Sequence, residues 1–148
     1  GEGWLYLAAV MDLCTRKVVG WSLKDTLENE ITLEAFDRAV AVENPGRDLI
    51  HHSDRGVQYS SLRYQQRLWS RGMMCSMSRK GNCYDNAVME SFFHTLKVER
   101  VDWKKYPTRK KAIEDLNWWI EVWYNRRRLH SSLGYRSPYE YGREKNVA

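Results

Sequence analysis

The sequence predicts an α/β domain with a mixed sheet flanked by helices. Two runs of strand composition open the chain with a short turn between them. Helical and strand-like segments then alternate. The second half carries long stretches whose apolar residues recur every three or four positions. A length of 148 residues fits one domain. Hydrophobic residues at 43% and charged residues at 29% are ordinary globular values. No apolar run reaches the roughly 18–20 residues that a membrane span needs, and the first residues do not read as a secretory signal. Cys14, Cys75 and Cys83 lie far apart without a CxxC spacing, which argues against a disulfide framework or a zinc site. They read as interior residues of a soluble protein in a reducing compartment.

Residues 4–12 (WLYLAAVMD) form a continuous apolar run, and 17–23 (KVVGWSL) are rich in β-branched and aromatic residues. The pair reads as an antiparallel hairpin. Residues 31–43 read as a helix ended by Asn44-Pro45-Gly46, and 48–52 as a short strand. Ser60 or Ser61 caps a helix over 61–71, which Gly72 stops, and 73–77 form another strand. After a polar loop, Asp85 caps a helix over about 86–101. Pro107-Thr108 opens a helix to about 124, and Trp119 and Trp123 pack it on the core. The tail, 126–148, is basic, with turns at Gly134 and Pro138, and belongs to the same domain as the core of 1–125.

Charge is uneven. Residues 1–50 hold five Lys/Arg against nine Asp/Glu; residues 51–148 hold nineteen against ten. A second half of net charge +9 suits a polyanionic partner. Lys104, Lys105, Arg126, Arg127 and Arg128 concentrate that charge, with Trp103, Tyr106 and Tyr124 interleaved. Cations beside aromatic rings suit phosphate contact with stacking. Arg79 and Lys80, in the loop before the 86–101 helix, are further candidate contacts for such a polyanion.

Asp54 follows a strand directly, at the carboxyl end where open α/β sheets bind ligands. Alone, it reads rather as an Asx turn cap. Glu90 stands at the border between the apolar stripe and the polar face of its helix, with Asn86, His94 and Lys97 within about 40° of it on the wheel. Alone, it reads rather as an ordinary flanking glutamate. Together they suggest a carboxylate pair, because the intervening helix, strand and loop can return the chain to the same sheet end. Hard divalent cations take such oxygens. Two of them about 3.5–4 Å apart serve phosphodiester chemistry, and Lys97 would hold a phosphate beside them. His51 and His52 are consecutive in a strand and so point to opposite faces; a supporting role suits His52.

These segments resemble the integrase core of insertion-sequence transposases in the retroviral-integrase superfamily. The resemblance rests on GWLYLAAVMDLCTRKVVGWS (3–22), LIHHSDRGVQYSS (49–61), SMSRKGNCYDNAVMESFFHTLKVE (76–99) and YNRRRLHSSLGYRSPYEY (124–141). It implies a ribonuclease-H-like fold and strand cleavage and strand transfer on DNA with Mg²⁺ or Mn²⁺. It also implies a homo-oligomeric assembly, with no membrane partner. Asp54 and Glu90 match the second and third carboxylates of that family and Lys97 the basic residue that follows; Asn86, on the Glu90 side of the helix, is a candidate helper. The first carboxylate and its strand are expected to precede Gly1, so the fold reads as N-terminally truncated and, as it stands, inactive alone. Asp12 falls at a hairpin turn and is assigned no metal. The slot of that first strand, between the hairpin and the strand ending at Asp54, is expected to be filled by another chain, a swapped segment or direct re-pairing. A ribonuclease-H-like nuclease and a non-catalytic DNA-binding fragment are the other readings.

Overall fold

A computed structural model describes residues 3–27, 29–46, 49–53, 61–77 and 87–147. Strands β1 (Tyr6–Met11) and β2 (Val18–Lys24) form the expected antiparallel hairpin, with a register shift at Val10/Met11. The turn is built by Asp12, whose Oδ1 accepts from the backbone N–H groups of Cys14 (2.8 Å) and Thr15 (3.2 Å). That accounts for an aspartate here without metal chemistry. Cys14 is exposed at this turn, contrary to the interior expectation.

The unbroken apolar run of β1 has a physical cause: both faces are covered. Ala8, with Tyr6 and Val10 beside it, packs on Ile31 and Ala35 of helix α1 (Asn29–Glu43). Leu5, Leu7, Ala9 and Met11 face the opposite cluster, built around Phe92, Trp119 and Tyr124. Helix α1 lies so close to β2 that a Cβ on Gly20 would stand 2.2 Å from the Ala35 carbonyl oxygen and 2.6 Å from the Ala39 nitrogen. Only glycine permits that approach.

Strand β3 (Ile50–Ser53) pairs in parallel with β4 (Met74–Met77), and helix α2 (Leu62–Ser70) joins them. Ser61 caps α2 by accepting from the Tyr64 N–H at 3.2 Å. Leu33, Phe36 and Val40 of α1 meet Tyr64, Leu68 and Met73 in a second cluster, so α1 bridges the two strand pairs. Among the described residues the β1–β2 and β3–β4 ladders remain separate. The direct re-pairing expected as one way to close the slot is not found there.

Helix α3 (Ala87–Glu99) leads through a 3₁₀ turn (Val101–Trp103) to α4 (Arg109–Trp118), which Thr108 caps through the Lys111 N–H at 3.2 Å. The helical path then widens into π geometry over Trp119–Arg127. The Arg128 N–H closes it with a five-residue bond to the Trp123 carbonyl, 2.7 Å. Tyr124 and Asn125 are both buried there, whereas Trp123, expected in the core, is 37% exposed. Asn125 takes over pairing at β2: its Oδ1 accepts from the Val18 N–H and its Nδ2 donates to the Val18 carbonyl, each at 2.9 Å.

The tail is more regular than expected. A 3₁₀ turn (Ser131–Leu133) and left-handed Gly134 lead into helix α5 (Pro138–Val147). Pro138 opens it, and the buried Ser137 caps it by accepting from the Glu140 N–H at 3.2 Å.

Gly20→Ala is expected to destabilise the fold by at least roughly 1–3 kcal/mol, because rigid backbone rather than a mobile side chain opposes the new methyl. Chemical denaturation measures it; an unchanged midpoint would contradict the close α1–β2 packing.

Candidate functional site

Helix α3 is divided by burial. Phe92 and Leu96 are buried, Phe92 with its ring centroid 4.9 Å from Tyr124 and 6.4 Å from Trp119. Met89 packs against the same cluster. The opposite face shows Glu90 in the first turn, then His94, then Lys97 in the last turn, all exposed. Glu90 and Lys97 are two turns apart, about 10 Å along the axis. Among the described residues, Glu90 makes no hydrogen bond or ion pair. The backbone beneath it is fixed by aromatic packing.

Asp54, Asn86, Arg79 and Lys80 lie outside the described residues. The strands leading toward them are described. Ser53 and Met77 are register partners in a parallel pair, so the segment after Ser53 and the segment after Met77 leave from one end of that ladder. The second segment leads to α3. His51, one strand position before His52, is directed into the α1–α2 cluster: its Nε2 lies 2.9 Å from the Tyr64 hydroxyl, and its ring meets Phe36 edge-on.

Among the described residues, the basic second half divides into cations held in ion pairs and exposed cations that form none. Arg128 donates from Nε and Nη2 to both Glu99 oxygens at 2.7–3.1 Å and is half-buried. It clamps the end of the π segment to the end of α3, so this candidate DNA contact already shares its charge with a carboxylate. Arg100 is paired with Asp115, which also accepts from the Tyr106 hydroxyl. The Arg100 bond holds the Asp115 carboxyl below its ordinary range. Burial, reinforced by Asp115, pushes the Tyr106 phenol up. Tyr124 is buried and offers no stacking surface, whereas Tyr106 is half-buried with its hydroxyl held by Asp115. Trp103 differs: it is 81% exposed, and its indole N–H is tied to the Val98 carbonyl at 2.7 Å. Lys104, Lys105, Arg126 and Arg127 are exposed.

An open groove between α1 and α2 is also charged, but its walls are joined by ion pairs: Glu34 with Lys24 and Arg38, Arg63 with Glu30, and Arg67 with Asp37. It lies on the α1 side of the hairpin, away from the cluster that carries α3. Among the described residues no three His, Cys, Asp or Glu side chains gather as metal ligands. No described helix is long and apolar enough to cross a membrane.

The architecture is α/β of the ribonuclease-H-like class. The chain superposes on a chain of the simian T-cell lymphotropic virus intasome in complex with PP2A regulatory subunit B56 gamma. That match has a TM-score of 0.69 at 17% identity and covers 90% of this chain and 46% of that one. It superposes also on the HTLV-2 integrase catalytic core domain in complex with magnesium, in its trimeric form. There the TM-score is 0.55 at 14% identity, covering 94% and 92% of the two chains. Integrase core domain family models match residues 1–83 and 71–138. The chain belongs to the integrase core domain family. Among its relatives is the transposase for insertion sequence element IS904 of Lactococcus lactis subsp. lactis (strain IL1403). It is 45% identical over 140 residues, which cover 95% of this chain and 55% of that protein. The chain spans about half the length of the curated relatives it matches.

The tail supplies a pH test of how firmly it is seated. His130 sits edge-on to Tyr124 at 5.0 Å, and its Nε2 is buried without a partner. Burial, then Arg128, lowers its pKa to about 4. A histidine whose folded pKa is depressed stabilises the fold above its unfolded value, about 6.5, and that stability is lost as pH falls toward 4. Denaturation free energies between pH 7 and 4 are expected to show this acid-side loss in the native chain and a smaller one in His130→Gln. Equal slopes would contradict the buried, neutral imidazole.

Proposed function

We propose that this chain is the catalytic core of an insertion-sequence transposase, acting on DNA by metal-assisted phosphoryl transfer. The observation that carries the reading is the extended identity, along nearly the whole chain, to a relative named as a transposase. In the reaction, water attacks a phosphodiester at the element end and releases a 3′-hydroxyl. That hydroxyl then attacks a phosphodiester of target DNA, whose own 3′-oxygen leaves.

Asp54 and Glu90 are the residues we assign to Mg²⁺ or Mn²⁺, as a two-ion site shared with a third carboxylate. Glu90 fits the group: it is a hard oxygen donor, exposed, uncommitted to any described cation, and mounted on a rigid helix. The solved HTLV-2 core named above holds magnesium. Bound ions would activate the attacking oxygen and stabilise the leaving one. Lys97, two turns along the same face, would hold a phosphate near the scissile bond, with Asn86 assisting. Arg79, Lys80, Lys104, Lys105, Arg126 and Arg127 would position DNA through its backbone, without reading sequence. The protein would work as a homo-oligomer on paired DNA ends in the cytoplasm.

We also take 126–148 as part of the same domain. Buried Leu133 and Ser137, the Arg128–Glu99 clamp and the His130–Tyr124 contact support this.

Glu90→Gln, in a chain that carries all three carboxylates, is expected to abolish cleavage and strand transfer while leaving DNA affinity within about twofold. Gel assays of cleavage and filter binding of the same DNA measure the two. Loss of affinity along with activity would mark Glu90 as structural. Cleavage of RNA–DNA hybrids without strand transfer would favour a ribonuclease instead.

A further inference from the structure

The tail gathers two cations on one aromatic ring. Tyr139 and Arg143 stand four residues apart on α5, and the Arg143 guanidinium carbon lies 5.9 Å from the Tyr139 ring centroid. Arg126 arrives from a different element, the end of the π segment, and its guanidinium carbon lies 4.7 Å from the same centroid. Both arginines are exposed, and neither forms an ion pair with a described carboxylate. The nearby acids are largely committed. Glu144, next in sequence to Arg143, is held by Arg136 at 2.6 Å, and Glu99 is held by Arg128. Glu140, in the first turn of α5, is exposed. One further cation, Lys145, stands 5.3 Å from the Tyr141 ring.

Two like charges brought to one ring repel each other, and an anion placed between or beside them relieves that cost. The ring also restrains both side chains, so less rotamer entropy is lost when they bind. Planar guanidiniums match phosphate oxygens in geometry as well as charge.

The geometry points to Arg126 and Arg143, set on Tyr139, as a phosphodiester-backbone site for duplex DNA. This rests on the proposal that the chain handles DNA and adds to it a site that includes Tyr139 and Arg143. Arg126 is two residues from Arg128, which is clamped to the C-terminal end of α3, whereas Glu90 is in that helix's first turn. Glu99 is nine helical steps beyond Glu90, roughly 14 Å along the axis. The site therefore holds DNA flanking the reacting phosphate, beyond Lys97, and positions the duplex without touching the scissile bond.

The test is equilibrium binding of a duplex of arbitrary sequence between 50 and 200 mM salt, with poly-glutamate as a competing acidic probe. Each lost phosphate contact should lower the slope of log K against log salt by about 0.9. Arg126→Gln and Arg143→Gln should each do so, the double variant should lose about twice as much, and the loss should be similar for unrelated sequences. Tyr139→Leu should weaken binding severalfold with little change in slope. Because the glutamine changes are on exposed side chains, circular dichroism should remain native; the single variants decide the matter if the double does not fold. Native slope and affinity in both single variants would overturn this site and leave the DNA reading standing. Absence of salt-dependent DNA binding by the unaltered chain would overturn both. Poly-glutamate binding as tightly as DNA would replace the phosphate site with a general acidic one.

Discussion

The aromatic seat formed by Phe92, Trp119 and Tyr124 is the constraint on which the structure depends. Phe92 is 1% exposed and Trp119 2%, and one side of β1 and the π segment converge on the same cluster. Burying aromatic rings of this size contributes more than any surface ion pair in the molecule. It fixes α3 in rotation about its own axis. With Phe92 and Leu96 turned inward, the 3.6-residue repeat leaves Glu90, His94 and Lys97 outward. The exposed carboxylate is a consequence of the buried face.

The same logic extends to the tail. Tyr124 lies at the junction of the core with the π segment, and burial lifts its phenol pKa to about 12. Asn125 beside it satisfies both backbone groups of Val18, a pairing that a strand neighbour would otherwise supply. Arg128 then clamps onto Glu99. Three consecutive features thus join the second half of the chain to the hairpin and to α3. The exposed cations Arg126 and Arg127 stand on that rigid path.

Much of the fold was legible because burial leaves a pattern. The unbroken apolar run of β1 reflected covering on both faces, and the stripe from Ala112 to Ile120 reflected one buried helix face. The place of Asp12 at a hairpin turn is legible in the sequence, and its carboxylate accepts from the turn's own N–H groups. The π widening was not legible, since its apolar residues fit an ordinary helix until Tyr124 and Asn125 both turn inward. Helix α5 was missed because PYEYGREKNV has Gly142 within it and little apolar periodicity; its stability comes from the Ser137 cap and from packing at Pro138. In the site, Glu90 and Lys97 could be placed on one face by spacing alone. The commitment of Arg128 to Glu99 could not, because the two are 29 residues apart and only the fold brings them together.

The central claim is that Asp54 and Glu90 share hard cations. Manganese binding, followed by electron paramagnetic resonance in the native chain, Asp54→Asn, Glu90→Gln and the double variant, tests it most directly. The account predicts that either single change weakens Mn²⁺ binding strongly and that the double change adds little more, since both remove the same site. Native Mn²⁺ affinity in both single variants, or fully additive losses from two independent sites, would contradict it.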